Sequence, residues 1–160
     1  ECSMASLSIN TPVGHLSLIE DQDALVAVKW GAVANSDDST LLLETKTQLN
    51  AYFDGRLTEF DLPLSPSGTA FQQQVWAEMR KIPYGKLRTY GDLAVAIGSS
   101  PRPVGGACGR NPIPIILPCH RVVGNDGEMA GYSGGRGVLT KQQLLRLEGV
   151  KSAQLSFQEL

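Results

Sequence analysis

The sequence predicts an α/β (α+β) chain in two lobes: a small antiparallel sheet plus one helix, then a mostly helical lobe containing a helix-turn-helix. Three observations predict it. Residues 4–34 alternate short apolar runs with turn residues, as strands of a small sheet do. Helical spacing and two N-terminal capping patterns follow residue 69. Between them, residues 61–68 carry Pro63, Pro66 and Gly68 with no helical period, which marks a boundary. The expected organisation is 1–65 for the first lobe, 66–151 for the second and 152–160 for a tail. At 160 residues the chain can bury a core without disulfides or a structural metal. No run approaches 18 apolar residues and no basic start precedes an apolar stretch, so neither a membrane span nor a secretion signal is expected.

In order along the chain, Leu7-Ser8-Ile9, Leu16 to Ile19 and Leu25 to Trp30 are the expected strands. Leu42, Lys46, Leu49 and Phe53 fall at helical spacing and predict a helix packed on them. In the second lobe Phe71, Val75, Met79 and Ile82 share a face behind a Thr69–Gln72 capping box, and Pro83-Tyr84-Gly85 ends that helix. Thr89 and Asp92 form a second capping box opening a short helix with Leu93, Ala94 and Ile97. Gly98-Ser99-Ser100-Pro101 turns the chain into another short helix starting near Pro101 or Arg102. Two short helices about a glycine-containing turn have the form of a helix-turn-helix. The second helix carries Gly105, Gly106 and Gly109, each costing about 1 kcal/mol against alanine. A face that another backbone must approach closely accounts for that composition.

The net charge of −2 hides a segregation. Residues 1–78 hold 3 Lys/Arg and 11 Asp/Glu, a net of −8, whereas residues 79–151 hold 11 against 4, a net of +7. A basic half of this kind suits a polyanion. The three cysteines (Cys2, Cys108, Cys119) are an odd set, unlike a secreted disulfide framework, which predicts a reducing, cytoplasmic setting. Cys2 and His15 alone could ligate a metal in the first lobe, too few for a tetrahedral site, so no metal and no cofactor are expected.

Residues 111–123 concentrate the chemistry. Cys119 adjoins His120, a base able to activate a thiol, and Arg121 adds positive charge. The apolar run Ile113 to Leu117 predicts a buried, rigid strand delivering the cysteine. Cys108, on the glycine-rich helix, reads as a small packing residue.

The string Pro-Cys-His-Arg-Val at 118–122, with Asn111-Pro112 upstream, resembles the active site of the O6-alkylguanine-DNA alkyltransferases. Also similar to that family are Phe71-Gln72-Gln73-Gln74-Val75-Trp76, Ile82 to Gly85, Thr89 to Gly91, Arg102 to Gly105, Gly131 to Gly135 and Leu147 to Gly149. The resemblance covers roughly residues 69–149, and more weakly the first lobe through Thr11-Pro12-Val13-Gly14 and the 49–55 run. It implies a ribonuclease-H-like first lobe and a winged helix-turn-helix second lobe. It implies irreversible, single-turnover transfer of an alkyl group from O6-alkylguanine, also O4-alkylthymine, in duplex DNA, with the damaged nucleotide flipped out. Cys119 is then the nucleophile, His120 the base acting through water, Glu148 its orienter, Asn111 a support and Tyr90 a proton donor. DNA contacts fall to Arg102, Thr89, Tyr90, Gly105, Ala107, Arg110 and Arg121, with the glycine-rich helix in the minor groove. Pro114, Val122, Tyr132, Ser133 and Gly134 would line the base pocket. The resemblance implies a monomer in solution, allows cooperation between copies on DNA, and places the protein with the nucleoid in a bacterium or in the nucleus of a eukaryote. Two departures stand out: Gly98 to Arg102 is two residues shorter than is common in the family, and Pro103 replaces the usual alanine. The alternatives to repair are a non-catalytic alkylated-DNA-binding or regulatory winged helix-turn-helix protein, and a cysteine hydrolase using Cys119 and His120.

Overall fold

A computed structural model describes residues 4–33, 36–124 and 135–150. The chain divides into two compact units at Ser67/Gly68.

In the first unit, β1 (Ala5–Thr11), β2 (Gly14–Asp21) and β3 (Ala24–Trp30) form an antiparallel sheet in the order β1-β2-β3. Leu7 and Ile9 on β1, and Leu16 and Leu18 on β2, are buried at alternate positions, the period of two that gives a strand one inward face. On β3 the buried pair is Leu25 and Val28, an odd number of residues apart. A bulge explains it: Ile19 pairs with Ala27 but Glu20 with Leu25, so Val26 is an extra residue and both hydrophobes face inward. The helix α1 (Thr40–Phe53) packs on the sheet with Ser39 as its N-cap, accepting from the Leu42 amide at 3.1 Å. The Ser39 hydroxyl also donates to buried Glu20. The buried stripe of α1 is Leu42, Thr45, Leu49 and Tyr52, while the expected Lys46 is exposed and Phe53 half-buried. Thr45 can face inward because its hydroxyl donates to the Leu41 carbonyl at 2.8 Å.

The second unit begins with α2 (Ala70–Arg80), whose Thr69–Gln72 capping box is formed in both directions. Its Val75, Trp76 and Met79 are buried. A two-residue strand β4 (Arg88–Thr89) pairs in parallel with β5 (Val122–Val123). Next come α3 (Tyr90–Ile97), capped by the Thr89–Asp92 box, and α4 (Pro101–Gly109). Gly98 ends α3 at φ +69°, a left-handed position that glycine occupies without steric cost, and the chain turns there into α4. Prolines at the start of α4 are compatible with its first turn, where amides lack helical partners. Val104, Ala107 and Cys108 bury the inner face of α4 against α2 and α3. The Trp76 indole donates to the Ala107 carbonyl at 2.9 Å and ties α4 to α2. Finally α5 (Val138–Leu147) packs on a 3-10 turn, Cys119–Arg121.

The stretch before Cys119 departs from the expected strand. Ile113 to Leu117 is buried, but it makes only one bridge, Pro114 to Leu117, and folds back on itself. The prolines at 112, 114 and 118 remove amide donors and fix φ at three points, which a continuous ladder does not tolerate.

Candidate active site

The 3-10 turn places Cys119, His120 and Arg121 in succession, all buried. Glu148 stands just past the end of α5 as its C-cap and reaches the two residues that follow the thiol. His120 Nε2 lies 2.7 Å from Glu148 Oε2. Arg121 donates through Nε to Oε1 at 2.8 Å and through Nη2 to Oε2 at 3.0 Å, and through Nη1 to the Ile82 carbonyl at 2.7 Å. The Gly85 amide donates to Oε1 at 3.2 Å. Gly85 holds φ +78°, and a Cβ there would sit 3.0 Å from the Glu148 carbonyl oxygen, so glycine serves this turn twice over.

These contacts set the protonation states. Burial alone would raise the Glu148 carboxyl, but the His120 hydrogen bond and the Arg121 guanidinium outweigh it and hold the acid well below the usual carboxylate range. An ionised carboxylate only accepts, so His120 presents Nε2–H to it and keeps its lone pair on Nδ1. Burial lowers the His120 pKa, leaving the ring neutral. Among the described residues, His120 Nδ1 is the buried side-chain polar atom without a hydrogen-bond partner.

The thiol itself is held as a thiol. Burial pushes the Cys119 pKa up, opposed by a hydrogen bond from Asn111 and by the Lys141 cation. Asn111 is a two-way clamp: its Nδ2 donates to the Leu117 carbonyl at 2.7 Å and its Oδ1 accepts from the Ile113 amide at 2.9 Å. Lys141, fully buried on α5, donates to the Val122 carbonyl at 2.6 Å and stands 5.9 Å from the centroid of the Tyr90 ring. Burial lowers its pKa to about 8. Tyr90, half-buried at the start of α3, has its hydroxyl pushed well above the ordinary phenol value by burial and by the two thiols, so it stays protonated.

A buried thiol, a neutral imidazole whose Nδ1 has no partner within the protein, an ionised carboxylate and the protonated phenol at the start of α3 thus share one neighbourhood. The 6-O-methylguanine DNA methyltransferase DNA-binding domain matches residues 70–150, and the ribonuclease-like domain of the same proteins matches residues 5–66. The chain belongs to the 6-O-methylguanine DNA methyltransferase family. The methylated-DNA–protein-cysteine methyltransferase of Methanosarcina acetivorans is 42% identical over 87% of this chain and 94% of its own length. The constitutive enzyme of Bacillus subtilis is 40% identical over 88% and 92%. Among solved structures, the Mycobacterium tuberculosis protein in complex with DNA superposes with a TM-score of 0.82 at 41% identity, covering 94% of this chain and 98% of that one. The two-unit architecture is that of the methyltransferase fold.

The sequence-based assignments to this methyltransferase divide in three. Cys119, His120, Glu148, Asn111 and Tyr90 lie in one neighbourhood, with Pro114 and Val122 buried close by in sequence to the thiol. Arg102 and Arg110 are exposed at the two ends of α4, Gly105 is half-buried, and Thr89 is occupied as the N-cap of α3. Tyr132, Ser133 and Gly134 lie outside the described residues. Two expected DNA contacts need correction. Arg121 is 6% exposed and spends its guanidinium on Glu148 and Ile82. Ala107 is 3% exposed because 104, 107 and 108 form the inward stripe of α4, so its side chain is buried within the lobe. Lys141 went unread in the sequence, because Thr140-Lys141-Gln142 is a polar run with no motif to mark it, yet all three are buried.

Proposed function

We propose that Cys119 is the alkyl acceptor of a direct-reversal DNA repair protein, with His120 as its base. The chain is a methylated-DNA–protein-cysteine methyltransferase that moves an alkyl group from O6-alkylguanine to a cysteine of its own, once per molecule. Of the described thiols, Cys108 is the poorer candidate. Its pKa is pushed up to about 12 by burial, and its Sγ packs 3.5 Å from the Met79 sulfur. Cys119 has the Asn111 hydrogen bond, the Lys141 cation and the adjacent imidazole. The observation that carries the assignment is the unpartnered Nδ1 of a neutral His120 whose Nε2 is committed to Glu148.

In this reading, one water links the Cys119 thiol to Nδ1, and the thiol proton passes to His120 as sulfur attacks the alkyl carbon. The carbon–oxygen bond breaks, and the electrons stay with guanine O6. Tyr90, kept protonated by burial, supplies a proton to the departing guanine, and its phenolate is reprotonated at the expense of the His120 imidazolium by way of solvent, so that both side chains return to their neutral forms. The sum is a thioether on Cys119 and a restored guanine, with the thiol proton replacing the alkyl group. Neither water nor a second thiol displaces the thioether readily, which makes the reaction stoichiometric. O4-alkylthymine presents the same alkyl–oxygen bond and is the proposed second substrate. Because the alkylated oxygen is hidden in a duplex, the nucleotide must be extruded to reach a buried thiol. In this reading Arg102, exposed at the start of α4, fills the vacated stack. A monomer acting in the reducing cytoplasm suits a nucleophile that must remain a free thiol.

The test is a stoichiometric incubation with a duplex containing O6-methylguanine. One methyl mass should appear on the peptide containing Cys119, and Cys119→Ser should bind the duplex without transfer. Methylation of Cys108 instead, or repeated turnover, would refute the assignment. Retained Cys119 with no transfer would favour the non-catalytic binding reading.

A further inference from the structure

Ile115 has φ +75° and is fully buried. For a β-branched residue this left-handed conformation is a true steric outlier, because Cβ meets the neighbouring carbonyl. The sequence explains why the outlier falls there. Pro112, Pro114 and Pro118 have φ fixed near −65°, and Asn111, Ile113 and Leu117 precede prolines, which biases them to extended backbone. Within 111–118, only Ile115 and Ile116 are left to reverse the chain.

The reversal has a specific product. The Leu117 amide donates back across the kink to the Ile113 carbonyl at 2.9 Å. The Leu117 carbonyl then accepts from two groups, the Asn111 side-chain amide at 2.7 Å and the Cys119 amide at 2.8 Å. Asn111 in turn receives the Ile113 amide and, through its own amide, bonds the Cys108 carbonyl at 3.3 Å at the end of α4. The kink at Ile115 therefore lays down the acceptor that joins the glycine-rich helix, the Asn111 clamp and the nucleophile.

We propose that Ile115 is a positioning residue for alkyl transfer: its strained backbone, held by burial of its own side chain, fixes the Leu117 carbonyl between Asn111 and Cys119. This rests on the alkyl-transfer reading above. Strain of this type persists only where surrounding packing over-determines it, and it gathers where a group must be aimed.

Ile115→Ala and Ile115→Gly test it as a pair. Both delete the same buried side chain, so the cavity is common to them, and they differ in how readily φ becomes positive. The single-turnover rate constant for methyl transfer from duplex O6-methylguanine is measured at a temperature where each variant is folded by circular dichroism. The expected order is wild type, then Ile115→Gly, then Ile115→Ala, with glycine faster than alanine by about tenfold, the equivalent of the left-handed penalty. The Asn111 side-chain amide protons provide the second readout by NMR: slow exchange in wild type and Ile115→Gly, fast exchange in Ile115→Ala. Ile115→Leu, which keeps volume but loses β-branching, supplies a folded variant if the small residues unfold the lobe. It should retain Asn111 protection and transfer within about threefold of wild type, because γ-branching eases the same φ. Equal rates and equal Asn111 exchange for alanine and glycine would overturn the proposal, as would rapid Asn111 exchange in a folded, fully active Ile115→Leu. Failure of the wild type to methylate Cys119 would instead overturn the underlying reading.

Discussion

Replacing Glu148 by glutamine preserves shape and removes charge, and two consequences follow from its contacts. An amide can turn its NH2 toward His120 Nε2, which forces the proton onto Nδ1 and abolishes the acceptor the thiol needs. Alkyl transfer by Glu148→Gln should fall by about 10²- to 10⁴-fold, the range of a lost general base. The change also leaves the Arg121 guanidinium buried without its carboxylate, and unpairing a buried charge costs about 3–5 kcal/mol. Single-turnover kinetics and urea unfolding check the two effects separately; wild-type rates would remove His120 from the mechanism. The pH dependence has a fixed sign. Burial depresses the His120 pKa, so the neutral base survives below the ordinary histidine value of about 6.5. The acidic limb of the transfer rate should lie below that pH, and a limb at or above it would contradict the assignment. Glu148 is depressed as well, so its contribution to stability is complete above the unfolded carboxylate value of about 4.3 and is lost as pH falls further.

At the scale of elements, the glycine-rich α4 presents an opportunity for a clean trade-off. A Cβ at Gly105, Gly106 or Gly109 would meet no other part of the protein within 4 Å. Internal packing therefore does not demand these glycines, and close approach of a duplex backbone is the role proposed for them. Gly106→Ala should raise helix stability by about 1 kcal/mol while weakening duplex binding by about tenfold. Thermal unfolding and a DNA titration at fixed salt measure both, and unchanged DNA affinity would dissociate α4 from the duplex. The helices α2 and α3 were legible because their signals are local: the Thr69–Gln72 and Thr89–Asp92 boxes form as read, and the turn expected at 98–101 begins with Gly98 as the cap of α3. The stretch before Cys119 was misread as a strand because apolarity reports burial, not direction. On α1, Thr45 lies inside and Lys46 outside because a threonine can satisfy its hydroxyl on its own helix, a detail that spacing does not carry.

For the whole molecule, charge is divided along the chain between a −8 segment and a +7 segment. Duplex affinity should fall linearly with salt on logarithmic axes, by about 0.9 of slope for each phosphate neutralised. Arg102→Ala and Arg110→Ala, both at exposed positions, should each reduce the slope by about one if they contact phosphate. Arg121→Ala should not follow that pattern, because its charge is already neutralised by Glu148 inside the lobe. A salt-independent binding constant would contradict the basic half as the duplex-binding part.

Sequence alone carried the α/β class, the two capped helices after residue 69 and the juxtaposition of Cys119, His120 and Arg121, while Glu148, Asn111 and Tyr90 entered through the resemblance to the alkyltransferases and α5 was not read as a helix. Capping boxes, proline punctuation and the Pro-Cys-His-Arg-Val string are all short-range signals. Tertiary structure decided which charges are spent internally. Arg121, expected as a DNA contact, is the partner of Glu148, and Lys141, which no motif singles out, is a buried cation whose charge opposes the rise of the Cys119 pKa. It also decided that the chain reverses at Ile115. The physical reason is common to the three cases. A side chain's charge or backbone angle is set by what packs against it from distant parts of the chain, and no local spacing encodes that.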